Sequence, residues 1–219
     1  MKKVVLFAIM ALGSLTIAAQ SSQTNKFVDE QAVAILKSLM KKMTNYSTIS
    51  IDFVFQTEKN EKILSEIKGK IHIKGDSYCL DTETQKIFCN TKSVWTYLPE
   101  QQEVTIVPYD SNDTEQLNPI KMVKDYEKNY RSMFIREQTE KGVLVQIIDL
   151  IPLKTSSIAR VRLIIDKTKC QIKRSVISEK DGTKYNYIIE KFVVNQKIAD
   201  NEFCFDSATY PNVDIIDMR

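Results

Sequence analysis

Two segments alternate apolar and polar residues strictly enough to restrict their conformation. Ile49, Ile51, Phe53 and Phe55 alternate with Ser50, Asp52 and Gln56. Ile63, Ile67, Ile71 and Ile73 share one side of a longer run, whose other side carries Glu66, Lys68, Lys70, His72 and Lys74. In a strand, successive side chains point to opposite faces, so each segment has one buried and one wet face. Further apolar runs follow at Ser77–Asp81, Lys86–Asn90, Ser93–Leu98 and Glu103–Val107, and then at Tyr130–Gln138, Gly142–Ile151, Ser157–Asp166, Cys170–Ser178 and Lys184–Val194. Turn-forming residues separate most of them, and Asp181-Gly182 is a hairpin signal. Short, evenly spaced strands predict an antiparallel meander of about eleven strands rather than βαβ units.

Helical spacing interrupts this pattern in two places. From Phe27 to about Thr44, Val28, Ala32, Ile35, Leu36, Leu39, Met40 and Met43 recur at steps of three and four. Acids in the first turn and lysines in the last match the helix dipole. After the polar loop Asp110–Gln116, Asn118-Pro119 reads as an N-cap with proline at the first helical position. Ile120, Val123 and Tyr126 then share one face of a short helix. No linker rich in Gly, Pro or Ser divides the chain, so residues 20–219 are expected to form a single, mainly β domain.

Residues 1–19 read as a cleaved secretory signal. Lys2 and Lys3 precede an almost wholly apolar stretch from Val4 to Ile17, and Ala18-Ala19 supplies small residues for cleavage. The apolar run is short for a membrane span. No cysteine follows it, so no lipid anchor is expected. About 200 residues remain, and the formal charge of +3 falls to about +1 without Lys2 and Lys3. So small an excess gives no case for a phosphate-binding surface, and nucleic acid is not an expected partner. Four cysteines, Cys79, Cys89, Cys170 and Cys204, permit two disulfides in three pairings or four free thiols. A turn near Glu83–Gln85 would set Cys79 against Cys89 on neighbouring strands. That disulfide is the one expected, with Cys170 and Cys204 left over.

Catalytic motifs are missing: there is no GxSxG, HExxH or glycine-rich phosphate cradle. His72, the only histidine, lies between two lysines on a polar face and reads as solvated. Carboxylates such as Asp149 and Asp166 are of the kind a hydrolase uses, but nothing selects that pair from the scattered acids. No enzyme activity, cofactor or metal is expected. Several strands are instead apolar on both faces. Val143, Val145 and Ile147 oppose Leu144, Ile148 and Leu150, while Val161, Leu163 and Ile165 oppose Ile158 and Ile164. A curved sheet with such strands either fills its core or holds an apolar cavity beneath its helices.

The order of elements resembles the LolA family of periplasmic outer-membrane lipoprotein carriers. Three stretches carry the resemblance: Ile49–Gln56, Gly69–Tyr78 continuing to Ser93–Pro99, and Phe203–Asp206 ending in Tyr210–Ile216. The resemblance implies a half-open antiparallel β-barrel under a helical lid, in the periplasm. Its expected cargo is the acyl chains of lipoproteins, taken from an inner-membrane ABC-type transporter and passed to an outer-membrane receptor by a monomer. A lipid- or lipoprotein-binding sensor or regulatory module of the same fold is the alternative. Phe53, Phe55, Ile71 and Ile73 are expected to line the cavity, with Met40, Met43, Ile120 and Val123 covering it. The family's arginine before a proline at a strand end, implicated in holding the lid shut, is absent. Lys74 stands at that place without arginine's planar donor fork.

Overall fold

The helix that opens the described chain is set by Asp29. With β-like backbone angles (φ −80°, ψ 95°), this residue caps α1 (Glu30–Thr44) and accepts the Ala32 N–H at 3.0 Å. Ala32, Leu36, Leu39 and Met43, spaced four, three and four apart, are its buried stripe. Each large apolar side chain so buried contributes roughly 1.5–3 kcal/mol. The computed structural model describes residues 28–110 and 126–219. The expected signal segment, Ile120 and Val123 lie outside them.

The rest is one open, curled sheet of twelve strands in the order β12-β6-β5-β4-β3-β2-β1-β11-β10-β9-β8-β7. A first meander runs through β1 (Ile49–Lys59), β2 (Lys62–Lys74), β3 (Ser77–Thr82), β4 (Lys86–Cys89), β5 (Ser93–Leu98) and β6 (Glu103–Pro108). A short helix α2 (Tyr126–Asn129) leads into the second: β7 (Tyr130–Glu140), β8 (Val143–Pro152), β9 (Ile158–Asp166), β10 (Gln171–Glu179) and β11 (Lys184–Val194). Antiparallel pairing of β1 with β11 joins the two meanders. The eleven expected strands are all present. The twelfth, β12 (Asp214–Asp217), pairs parallel to β6 at the sheet's edge. Its four exposed residues carry no periodic signal.

Register shifts account for the curl. Shifts interrupt β1 on both sides, β10 against β9, and β7 against β8. Each inserted residue bends its strand and adds twist. Two shifts correct the expected pattern: Thr57 pairs with Ser65 and Glu58 with Ile63, so the extra Leu64 turns Ile63 to the face opposite Ile67, Ile71 and Ile73, while Glu179 pairs with Ile158 and Ser178 with Arg160, leaving Ala159 extra. Ile158 thereby joins the side of Val161 and Leu163 instead of that of Ile164.

The inner face, on the α1 side, holds the main core. Leu36, Leu39 and Met43 meet Ile49, Ile51, Ile71, Ile73, Tyr78 and Leu80 of the first meander and Ile148, Leu150, Val161, Leu163 and Ile165 of the second. Two smaller clusters lie on the outer face. In one, Cys79 and Phe88 pack under Phe203 and the chain from Ile198 to Tyr210. The other gathers Val145, Ile147 and Ile164.

The expected Cys79–Cys89 disulfide does not form, because the register separates the two residues. Cys79 pairs with Phe88, and Cys89 with Tyr78. Directly paired residues share a face, so Cys79 points outward and Cys89 inward. All four thiols are free, Cys170 and Cys204 included.

Candidate functional site

Register places Phe53, Phe55, Ile71 and Ile73 on one face. Ile49 pairs with Ile73, Ile51 with Ile71, Phe53 with Gly69, and Phe55 with Ile67. That shared face is divided into two zones. Ile71 (4% exposed) and Ile73 (1%) are sealed in the core beside Met43, with Met40 packed against its margin. Phe53 sits at the border, half-buried, with its ring laid over the Gly69 backbone. Phe55 lies outside the core and meets two tyrosines, at ring-centroid separations of 4.8 Å from Tyr187 and 6.0 Å from Tyr185.

The second zone is therefore an apolar, aromatic extension of the inner face: Phe53, Phe55, Ile67, Tyr185, Tyr187 and Ile189. All six are half-buried. β1, β2 and β11 are long, and their far ends run on past the core that α1 fills. Burial raises the Tyr187 pKa, and the neighbouring Glu179 carboxylate raises that of Tyr185. Both phenols stay neutral across the physiological range. Tyr185 and Tyr187 are not among the cavity residues expected from the sequence. Their period-two run with Ile189 was the available signal.

Two cavities flank α1. At its C-terminal end, about 100 Å³ is bounded by Met43, Tyr46, Thr48, Ile49, Ile73 and Gly75. At its N-terminal end, about 260 Å³ is bounded by residues that include Val28, Asp29, Val33, Tyr126, Tyr130 and Ser132. Both are smaller than the roughly 300–1,000 Å³ typical of small-molecule sites.

The polar candidates have structural partners. Asp149, 4% exposed, is held by Arg162 through two bonds of 2.7 and 2.8 Å, with Arg160 at 3.5 Å. The Asp149 carboxylate raises the Arg162 pKa. Asp166 accepts the Lys169 N–H at 2.8 Å and closes the β9–β10 turn. Neither carboxylate is turned toward the inner face. His72 departs from its solvated reading: it is half-buried on the outer face between Ser50 and Cys79. Its Nδ1 is buried without a hydrogen-bond partner among the described residues. Lys74 also faces outward. It pairs with Asp200 at 2.6 Å, binding the C-terminal segment and not α1. No group of three or more His, Cys, Asp or Glu among the described residues could hold a metal ion.

No curated protein matches the chain. Among solved structures, an uncharacterized conserved protein from Thermus thermophilus shares 12% identity at a TM-score of 0.59, over 85% of this chain and 99% of that one. A putative outer membrane lipoprotein-sorting protein domain from Vibrio parahaemolyticus shares 11% at 0.47, over 80% and 97%. The Mycobacterium tuberculosis lipoprotein LppX shares 10% at 0.44, over 78% and 98%. The family model described as outer membrane lipoprotein carrier protein LolA matches residues 44–206, well over half of the chain, and the protein belongs to that family.

Proposed function

We propose that this chain is an exported, periplasmic carrier that shields the acyl chains of lipoproteins between the inner and outer membranes. One observation carries the reading: the register of β1, β2 and β11 puts the half-buried Phe53, Phe55, Ile67, Tyr185 and Tyr187 on the same face as the core beneath α1, next to it along the strands. An acyl chain lying there gains about 0.8 kcal/mol per buried CH₂. It reaches the zone of Ile71 and Ile73 by displacing α1. Apparent affinity then scales with the fraction of molecules in which α1 has lifted. An inner-membrane ABC-type transporter would supply the cargo and an outer-membrane acceptor would receive it.

Phe55→Glu is the informative variant, because Phe55 lies outside the main core. Ile71→Glu would bury a charge and destabilise the fold itself. Phe55→Glu and Phe53→Glu should weaken binding of a triacylated lipopeptide by tenfold or more. Lys68→Glu, on the outer face, should leave it unchanged. Thermal melts establish that each variant is folded. Wild-type affinity in folded Phe55→Glu and Phe53→Glu would refute the site. Lipid extraction from protein purified from its own periplasm separates cargoes: bound lipoprotein supports the carrier, and free lipid alone supports a sensor.

A further inference from the structure

The two ends of α1 are held in different ways. Its C-terminal end continues within five residues into β1 and is secured by several bonds. The Lys42 ammonium donates to the Lys169 carbonyl, and the Ser47 N–H donates to Asn195 Oδ1 at 2.9 Å. The Thr48 hydroxyl donates to the Gln196 carbonyl at 2.7 Å. At the N-terminal end, Asp29 is the polar tie to the sheet among the described residues. Its Oδ1 accepts from Ala32 of its own helix, while its Oδ2 accepts the Phe134 N–H of β7 at 2.7 Å. β7 is the last strand on its side of the sheet. An edge strand carries backbone groups that no further strand satisfies, and the register shift beside Phe134 loosens the ladder there. The cavity of about 260 Å³ lies at this seam, between Val28, Asp29, Val33 and Lys37 of the α1 segment and Tyr126, Tyr130, Arg131 and Ser132.

We propose that the seam between α1 and β7 is the portal that receives the first segment of an acyl chain, and that the Asp29 carboxylate latches it. The proposal rests on the carrier reading and specifies where that site opens. Residues 45–48 act as the fixed end. A helix of fifteen residues is a lever of about 22 Å, so a small rotation at the fixed end widens the seam most. Val33 and Tyr130, both half-buried, line the cavity and offer apolar faces to an entering chain, with the buried Tyr126 behind them.

Asp29→Asn tests the latch selectively. Asparagine still caps the helix through its amide oxygen, but its NH₂ cannot accept the Phe134 N–H. In the ligand-free full chain, hydrogen exchange of α1 amides from Val33 to Met40 should quicken on the order of tenfold, the scale of losing one charge-assisted hydrogen bond. Amides of β9 should be unchanged. Association of a fluorescent tripalmitoylated lipopeptide should quicken in parallel. Unaltered α1 exchange overturns the latch. Faster exchange without faster association, in protein that binds, overturns the portal. Val33→Trp, which fills the cavity from an intermediate-burial position, should slow association several-fold while circular dichroism stays native. No slowing in that variant also overturns the portal. If neither wild type nor variants bind, the carrier reading and the portal fall together, and hydrogen exchange still decides whether Asp29 latches α1.

Discussion

Gly69 and Phe53 form the border between the filled and half-open zones, so Gly69→Ala tests the packing on which the site depends. The two residues are direct cross-strand partners. A Cβ at Gly69 would lie 2.5 Å from Phe53 Cζ, and 2.9 and 3.0 Å from Cε1 and Cε2. Carbon atoms rest at about 3.5–4.0 Å, so the ring must lift by roughly 1 Å. Overpacking of this kind costs about 1–3 kcal/mol. Restricting the unfolded chain by replacing glycine returns about 0.4–1 kcal/mol. A net loss of about 1–2 kcal/mol is expected, which for a chain of this size lowers Tm by about 2–8 °C. Phe53→Leu removes the obstructing ring. The double variant Gly69→Ala/Phe53→Leu should therefore be more stable than the two single losses combined, with a coupling of about 1 kcal/mol. Urea titrations of the four proteins give the cycle. A Gly69→Ala melting point at or above wild type, or strict additivity, would refute the reasoning.

Differential alkylation at pH 8 should leave Cys79 unmodified in the native protein, because burial lifts its thiol to about 11. A peptide linking Cys79 to Cys89 in a non-reducing map would overturn the register. Arg162→Met strips Asp149 of its two-bond partner in a buried setting and should cost about 3 kcal/mol. Asp149→Asn/Arg162→Met should recover part of that loss in denaturant titrations. The Lys59 ammonium holds the Asp181 pKa down to about 2, below the ordinary value of about 3.9. The advantage of wild type over Asp181→Asn should be complete above about pH 5 and be lost as pH falls through 2 to about 1. An advantage that does not shrink between about pH 5 and pH 2 would contradict the Lys59 pairing.

Local patterns in the sequence report what a strand or helix does alone, and that is where the reading succeeded. Period two put Phe53 with Phe55 and Ile71 with Ile73, each pair on one side of its strand, and the three- and four-residue steps of Ala32, Leu36, Leu39 and Met43 marked the buried stripe of α1. What escaped depends on how elements meet. The opposed faces of Cys79 and Cys89 follow from Tyr78 pairing with Cys89, a register that no single strand encodes. Ile158 changed faces through one extra residue at Ala159. Tyr185 and Tyr187 join Phe55 only because β11, far along the chain, pairs with β1.

Asp29 illustrates the same limit at the lid. As an acid at the start of a helix it reads as a cap. Its second oxygen acquires a role only when the last strand of the sheet brings the Phe134 N–H to within 2.7 Å. Helix closure in this protein thus combines two unlike contributions. Apolar burial of Leu36, Leu39 and Met43 can be replaced by an acyl chain of similar area, because hydrophobic contacts are not directional. The Asp29–Phe134 bond cannot be so replaced, since an acyl chain offers no acceptor. In the proposed carrier, cargo would therefore offset the apolar cost of lifting α1 but not the loss of that bond. On the proposed carrier reading, apolar burial and this bond together hold α1 down in the empty protein, and the bond is the part of the opening cost that an acyl chain does not offset.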